Sequence, residues 1–291
     1  MLHVATAAAA VLGLDSVGAR ILRRGTAVLV ALPGAGALVR VEGAPGRAER
    51  QVRVAAALAA ADVPAVRLAG DGAQPVVVDG IDVTCWHLED LGGPAVTPRQ
   101  LGQLARRLRD GTSDPASLAE VPAFEPFAAI AEQLRSADGR GRTSAEDLGV
   151  LRVALDELSD AWPTVVATDP LGACLVHGDL HPANVLATPD GPRLADLELA
   201  GVGPASYDLA TQVVGVRRYG ADPAELEEVL AGYGGELPLA DVLEPMAAVY
   251  ELWVTAWAVA NRGIDDAHER EAVRRTERWT GDPPGEVWTV R

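Results

Sequence analysis

Leu175-Val176-His177-Gly178-Asp179-Leu180-His181-Pro182-Ala183-Asn184-Val185-Leu186 opens on an apolar run, crosses a polar loop and closes on a second apolar run. Ala173 to Val176 reads as a short buried strand. Asn184 to Ala187 and Pro192 to Asp196 read as a hairpin around Asp190-Gly191. The loop between strand and hairpin presents His177, Asp179, His181 and Asn184, and Asp196-Leu197-Glu198 stands at the end of the hairpin. Carboxylates and an amide on neighbouring strand ends can hold a hard divalent cation through oxygen, and Mg2+ favours such sites when phosphate oxygens share it. One carboxylate is then left to orient and deprotonate a hydroxyl. Taken singly, His177-Gly178-Asp179 is also compatible with an ordinary turn, and the acids with a structural Ca2+ site. The ordered offsets favour the catalytic reading.

Asn184 follows Asp179 by five residues, and a later acid, Asp196, sits on the next hairpin. Protein kinases space their catalytic Asp, metal-binding Asn and Mg2+-binding Asp in this way. The string His177 to Asn184, followed by Asp196-Leu197-Glu198 and Tyr207-Asp208-Leu209-Ala210, resembles the aminoglycoside phosphotransferase and choline kinase family, and the likeness extends more loosely over most of the chain. The resemblance implies a phosphotransferase moving the γ-phosphate of ATP or GTP to a hydroxyl of a small molecule. It implies Asp179 as catalytic base, Asn184 and Asp196 as Mg2+ ligands, His177 as a brace of the loop, and Asp208 as the carboxylate tying the loop backbone. Glu198 is a candidate for a metal or substrate role.

Upstream, the pattern is strand, strand, strand, helix, strand, strand. Ile21 to Leu32 holds strand-like runs broken at Gly25, Pro33-Gly34-Ala35-Gly36 makes a turn, and Ala37 to Val41 forms the third run. Arg47 to Ala61 has helical spacing and ends before Val63-Pro64. Pro75 to Val78 and Ile81 to Trp86 follow, joined at Asp79-Gly80. Such an order suits a small antiparallel sheet carrying one packed helix. Downstream, helical spacing covers Thr97 to Arg109, Phe127 to Arg135, Ser144 to Trp162, Ser206 to Arg217, Pro223 to Gly232 and Ala240 to Asn261, with an irregular tail from Thr280. The expected fold is therefore α+β, two-lobed and protein-kinase-like. Residues 1–88 form a β-sheet lobe, with a hinge near 84–90, and residues 91–291 form a mainly helical lobe.

A kinase-like small lobe needs a cation on its third strand and an acid on the following helix. The chain contains no lysine, so Arg40 is the candidate cation, and guanidinium binds phosphate in a bidentate way. Glu49 is the expected helix acid, although the register of the resemblance places Gln51 there. Arg24-Gly25-Thr26 stands where a phosphate-covering loop belongs, making Gly25 and Thr26 candidates. Trp86 and His87 fall at the hinge, where the backbone would meet the nucleotide base. Trp86 suits core packing equally.

For the acceptor, the resemblance points to the space between catalytic loop and C-terminal helices, with Glu251, Trp253, Trp257, Asp265 and Asp266 as candidate liners. The formal net charge of −16 repels nucleic-acid and anionic membrane surfaces and suits a cationic acceptor, such as an aminoglycoside-like antibiotic or an amino alcohol. Cys85 and Cys174, far apart and in apolar surroundings, read as buried thiols of a cytoplasmic protein. Ala5 to Leu14 reads as a packed helix, not a signal peptide, and no apolar stretch is long enough to span a membrane.

Two rival functions remain in view. A protein kinase would need a long activation loop, and only about eight residues separate Glu198 from the next helix. A nucleotide-binding pseudokinase would explain the poor glycine loop but not the intact Asp179, Asn184 and Asp196. Oligomeric state is left open by the sequence.

Overall fold

A computed structural model describes residues 1–25, 27–43, 46–234, 240–281 and 287–289. The first part holds α1 (Leu2–Val11), β1 (Arg20–Arg24), β2 (Ala27–Leu32), β3 (Ala37–Glu42), α2 (Arg47–Ala60), β4 (Val76–Val78) and β5 (Ile81–His87). The strands form one antiparallel sheet in the order β1-β2-β3-β5-β4. Successive side chains on a strand point to opposite faces, and β3 shows the consequence. Ala37, Val39 and Val41 are buried with Val4, Ala5, Ala8 and Leu12 of α1. Leu38, Arg40 and Glu42 lie on the other face, towards α2.

Helix α2 sends Val54, Ala55 and Leu58 into the same core as the helical lobe, together with Trp86. A backbone seam adds to this: Val66 donates to Leu194 O at 2.8 Å, and Leu194 donates to Pro64 O at 2.9 Å. The sheet lobe is thus fixed against the rest of the chain through its α2 face.

The second part contains α3 (Pro98–Gly111), α4 (Pro126–Arg140), α5 (Ala145–Ala167), β6 (Ala173–Val176), β7 (Val185–Thr188), β8 (Gly191–Leu194), β9 (Gly201–Pro204), α6 (Tyr207–Tyr219), α7 (Pro223–Tyr233), α8 (Ala240–Ala260) and α9 (Asp266–Thr280). Thr97 and Gln100 close a reciprocal capping box on α3. A Cβ on Gly102 would stand 1.9 Å from Val229 O, and one on Gly232 would stand 2.1 Å from Arg99 O. Only glycine lets α3 and α7 pack this closely. The arrangement is the two-lobed, protein-kinase-like α+β fold.

Three elements differ from the expectations. Helix α5 runs through Pro163 to Ala167 instead of stopping at Trp162. The missing proline N–H strands only the carbonyl of Ser159, an exposed residue whose carbonyl water can satisfy. Helix α9 was not separately anticipated. Strand β9 has the sequence Gly-Val-Gly-Pro, a weak strand former in which two glycines and a proline surround a single valine. It pairs antiparallel with β6 and is flanked by Ala123 and Phe124. Phe124 lies so close that a Cβ on Gly201 would meet its backbone N at 2.7 Å.

Candidate active site

Strand β6 ends in His177-Gly178-Asp179, and the backbone there is pinned from α6. The Asp208 carboxylate accepts His177 N at 2.8 Å and Gly178 N at 2.9 Å. His177 Nε2 lies 2.7 Å from Ala195 O, and its Nδ1 accepts Asp179 N at 3.3 Å. A carbonyl can only accept, so Nε2 is the nitrogen that donates to Ala195 O. Gly178 adopts φ +82°, and a Cβ there would come within 2.8 Å of the Phe124 ring. Conformation and space both demand glycine.

Asp179 is held at both carboxylate oxygens. Oδ1 accepts the Tyr250 hydroxyl at 2.7 Å, and Oδ2 accepts Asn184 Nδ2 at 3.0 Å. His181 Nε2 stands 3.6 Å from Oδ2, while its Nδ1 accepts Ala183 N. Burial works to raise the pKa of this acid. The His181 and Tyr250 contacts outweigh burial and hold it below the usual carboxylate range.

Asn184 Nδ2 also donates to Asp179 O at 2.9 Å. Two acceptors fix the amide orientation and leave Oδ1 to serve as a metal or water ligand. Asp196 sits at φ +56°, a left-handed conformation uncommon for a non-glycine residue, and its side chain is 46% exposed. An amide oxygen and one accessible carboxylate suit a hard cation that takes its other ligands from water and phosphate. Among the described residues, no group of three or more His, Cys, Asp and Glu side chains forms a metal-binding set of its own.

Arg40 reaches this cluster from β3. Its Nε is 2.6 Å from Glu42 Oε1, one terminal nitrogen is 3.3 Å from Asp196 Oδ1, and the other is 2.7 Å from Glu198 Oε2. Burial acts to lower the guanidinium pKa, but Glu42, Glu198 and Asp196 together raise it. Burial and the Asp196 charge push the Glu198 carboxyl up, against the pull of Arg40 and Arg47.

The expected helix partner of Arg40 is corrected. Glu49 is exposed and pairs with Arg53 at 2.5 Å along the helix surface. Gln51 is buried and donates from Nε2 to Glu42 Oε1 at 2.8 Å. Within the sheet lobe, the acid at Arg40 is therefore Glu42, on the strand itself.

Gly25 lines one cavity with Arg23, Arg24, Asp179, Asn184, Asp196 and Glu198. Thr26 lies outside the described residues. Trp86 is core, with its indole N–H on Thr84 Oγ1 at 2.8 Å. The backbone N–H of His87 is already bonded to Arg67 O, and its side chain is exposed.

The cavity encloses about 650 Å3, within the usual range for small-molecule sites. Tyr250, Trp253 and Trp257 of α8 line it on one helical face. Three candidate liners are corrected. Glu251 is fully buried and faces Arg217, Arg218 and Arg278, with Arg218 bidentate at 3.0 and 3.2 Å. Three guanidiniums around one carboxylate make it a pin between α6, α8 and α9. Asp265 caps α9, accepting His268 N at 2.9 Å, and faces solvent. Asp266 is an exposed residue of the first turn of α9.

The sequence reading missed Tyr250, Glu42 and the Gln51–Glu42 contact. Tyr250 was accessible through its spacing of three and seven from Trp253 and Trp257. Glu42 was accessible as the next same-face residue after Arg40 on a strand.

The family model of the phosphotransferase enzyme family matches residues 12–277. No curated protein matches the sequence. Among solved structures, a microcompartment-associated aminopropanol kinase is 22% identical with a TM-score of 0.66, covering 93% of each chain. An amicoumacin kinase in complex with AMP-PNP, Ca2+ and Ami is 14% identical with a TM-score of 0.68, covering 94% of this chain and 91% of that one. A choline/ethanolamine kinase family protein from Mesorhizobium loti is 20% identical with a TM-score of 0.61, covering 96% of this chain and 94% of that one. These likenesses carry the fold.

Proposed function

We propose, from the premise that this chain belongs to the phosphotransferase enzyme family and is a small-molecule kinase, that it moves the γ-phosphate of ATP or GTP to a hydroxyl of an amine-bearing small molecule. The observation that carries the reading is the Asp179 carboxylate, fixed at both oxygens and lining the same cavity as Asn184 and Asp196. Asp179 takes the acceptor proton as the hydroxyl oxygen bonds to the γ-phosphorus and the bond to the leaving diphosphate breaks. Asn184 Oδ1 and Asp196 would hold Mg2+, which when bound neutralises charge on the transferring phosphoryl group. Arg40, Arg23 and Arg24 supply the cations that a lysine-free chain needs along the phosphates.

The proposed division is residues 1–88 for nucleotide, a hinge near 84–90, and 91–291 for catalysis and acceptor. Glu251 and Asp265 are committed elsewhere, so an acceptor amine rests on the Tyr250, Trp253 and Trp257 face. There, cation–π attraction adds about 0.5–2 kcal/mol. Antibiotics and amino alcohols share this chemistry. Among the described residues no helix is long and apolar enough to cross a membrane.

The test is a panel of hydroxylated amines, each matched to a neutral analogue, incubated with ATP or GTP and Mg2+. Diphosphate release and a new phosphomonoester signal in 31P NMR are expected for amines. Nucleotide binding without acceptor-dependent release would refute the transfer, and equal rates on neutral analogues would refute the amine.

Tyr250→Phe supplies a pH test. The phenol stabilises ionised Asp179, so its loss raises the carboxyl pKa and the base protonates at higher pH. The acid limb of kcat should therefore move to higher pH than in the parent. An unmoved limb in a well-folded variant would show that Tyr250 does not tune the base.

A further inference from the structure

We propose that Glu42, held by Gln51, is the positioning carboxylate of Arg40, so that the acid of this lobe sits on the strand and the helix contributes a neutral amide. The inference rests on the proposed role of Arg40 along the nucleotide phosphates.

The geometry divides the guanidinium into two ends. Nε faces Glu42 Oε1 at 2.6 Å, inside the lobe, whereas the terminal nitrogens point across the cleft to Asp196 and Glu198. The inner contact can persist while the outer ones exchange for phosphate oxygens. Glu42 suits the inner role because its side chain is 2% exposed and Arg40 is its ion-pair partner. A buried carboxylate is tolerated only when paired and hydrogen-bonded. The second donor to the same oxygen is Gln51 Nε2 at 2.8 Å, and Nε2 also lies 3.3 Å from Arg47 O, one helical turn back. Both of its neighbours are acceptors, so the amide nitrogen is fixed towards Glu42.

Helix α2 is itself held to the helical lobe. Arg50 donates to Ala123 O and Ala200 O at 2.9 and 3.2 Å, and Arg47 meets Glu132 at 2.9 Å. Gln51 therefore carries the position of that lobe to Glu42, and Glu42 carries it to Arg40. The alternative acid, Glu49, points to solvent with Arg53.

Glu42 and Gln51 are also mutually dependent. With a carboxylate at 42, an acid at 51 would set two like charges at hydrogen-bond distance inside the fold, where neither ionises freely. With an amide at 42, an acid at 51 could take over the ion pair. The arrangement thus makes a specific prediction of reciprocal rescue.

The experiment is steady-state kinetics with Mg-nucleotide and a working acceptor on Glu42→Gln, Gln51→Glu, the double variant and Arg40→Met, with melting temperatures recorded. Each single change at 42 or 51 should raise the nucleotide KM about tenfold, equivalent to ~1.4 kcal/mol, with acceptor KM within about twofold. The double exchange should return nucleotide KM to within about threefold of the parent, an outcome a merely structural role would not produce. Arg40→Met should raise nucleotide KM by at least as much as either single change. An unchanged nucleotide KM in Glu42→Gln, with a raised one in Arg40→Met, overturns this inference alone. Two impaired singles without recovery in the double overturn it as well. An unchanged nucleotide KM in Arg40→Met overturns the underlying assignment of Arg40. If a single variant fails to fold, the double exchange decides on the same criterion.

Discussion

Asp179→Asn is expected to lower kcat by about 10²–10⁴-fold, the usual contribution of a general base, while Mg-nucleotide binding stays within about twofold. The substitution is isosteric and keeps an oxygen for either the Tyr250 hydroxyl or the Asn184 amide. It removes the negative charge and places an N–H2 against one of two donors, so neither orientation reproduces the native contacts. The variant also cannot take a proton from an alcohol at neutral pH. Asn184, Asp196 and Arg40 remain, so nucleotide titration followed by thermal shift should match the parent. Turnover in the variant near parental levels would remove Asp179 from the role of base.

Asp208→Ala is expected to lower folding stability by about 2–6 kcal/mol, since it strands two buried backbone donors at about 1–3 kcal/mol each. His177 is 1% exposed and Asp208 is 3% exposed, so water has little access to replace the carboxylate. His177 N and Gly178 N both depend on it, at 2.8 and 2.9 Å. These two amides immediately precede Asp179, so any molecule that stays folded should also lose turnover by about tenfold or more from a misplaced base. Denaturant unfolding and kcat under strongly native conditions measure the two effects separately. Asp208→Asn keeps one acceptor and should fall between parent and Ala variant. A midpoint equal to the parent's in Asp208→Ala would show that the loop is held by other contacts.

Much of the site was legible because it is local in sequence. His177, Asp179 and Asn184 share one loop, Asp196 follows on the next hairpin, and Asp208 opens the next helix. Their offsets brought Asp179, Asn184 and Asp196 together as candidates, the family resemblance added His177 and Asp208, and the structure brings all five together in space. Arg40 was legible for a different reason, since a lysine-free chain leaves few cations on the third strand. Glu49 misled because helix position was read without its rotation, and only packing decides which residue of α2 faces the sheet. Glu251 and Asp265 misled because a carboxylate in sequence carries no sign of its partners. Glu251 meets arginines 27, 33 and 34 residues away.

The sequence by itself determined the strand and helix order of the sheet lobe, the helices after it except α9, and the polar loop after β6. Each follows from periodicity or turn chemistry within a few residues. Only the tertiary structure decided that Gly201–Pro204 is a strand, that Glu42 serves Arg40, and that Tyr250 meets Asp179 across 71 residues. A weak strand former is held by β6 and Phe124, and a buried charge is placed by whichever donor reaches it. Such partners are chosen by packing between distant segments, which local patterns do not encode.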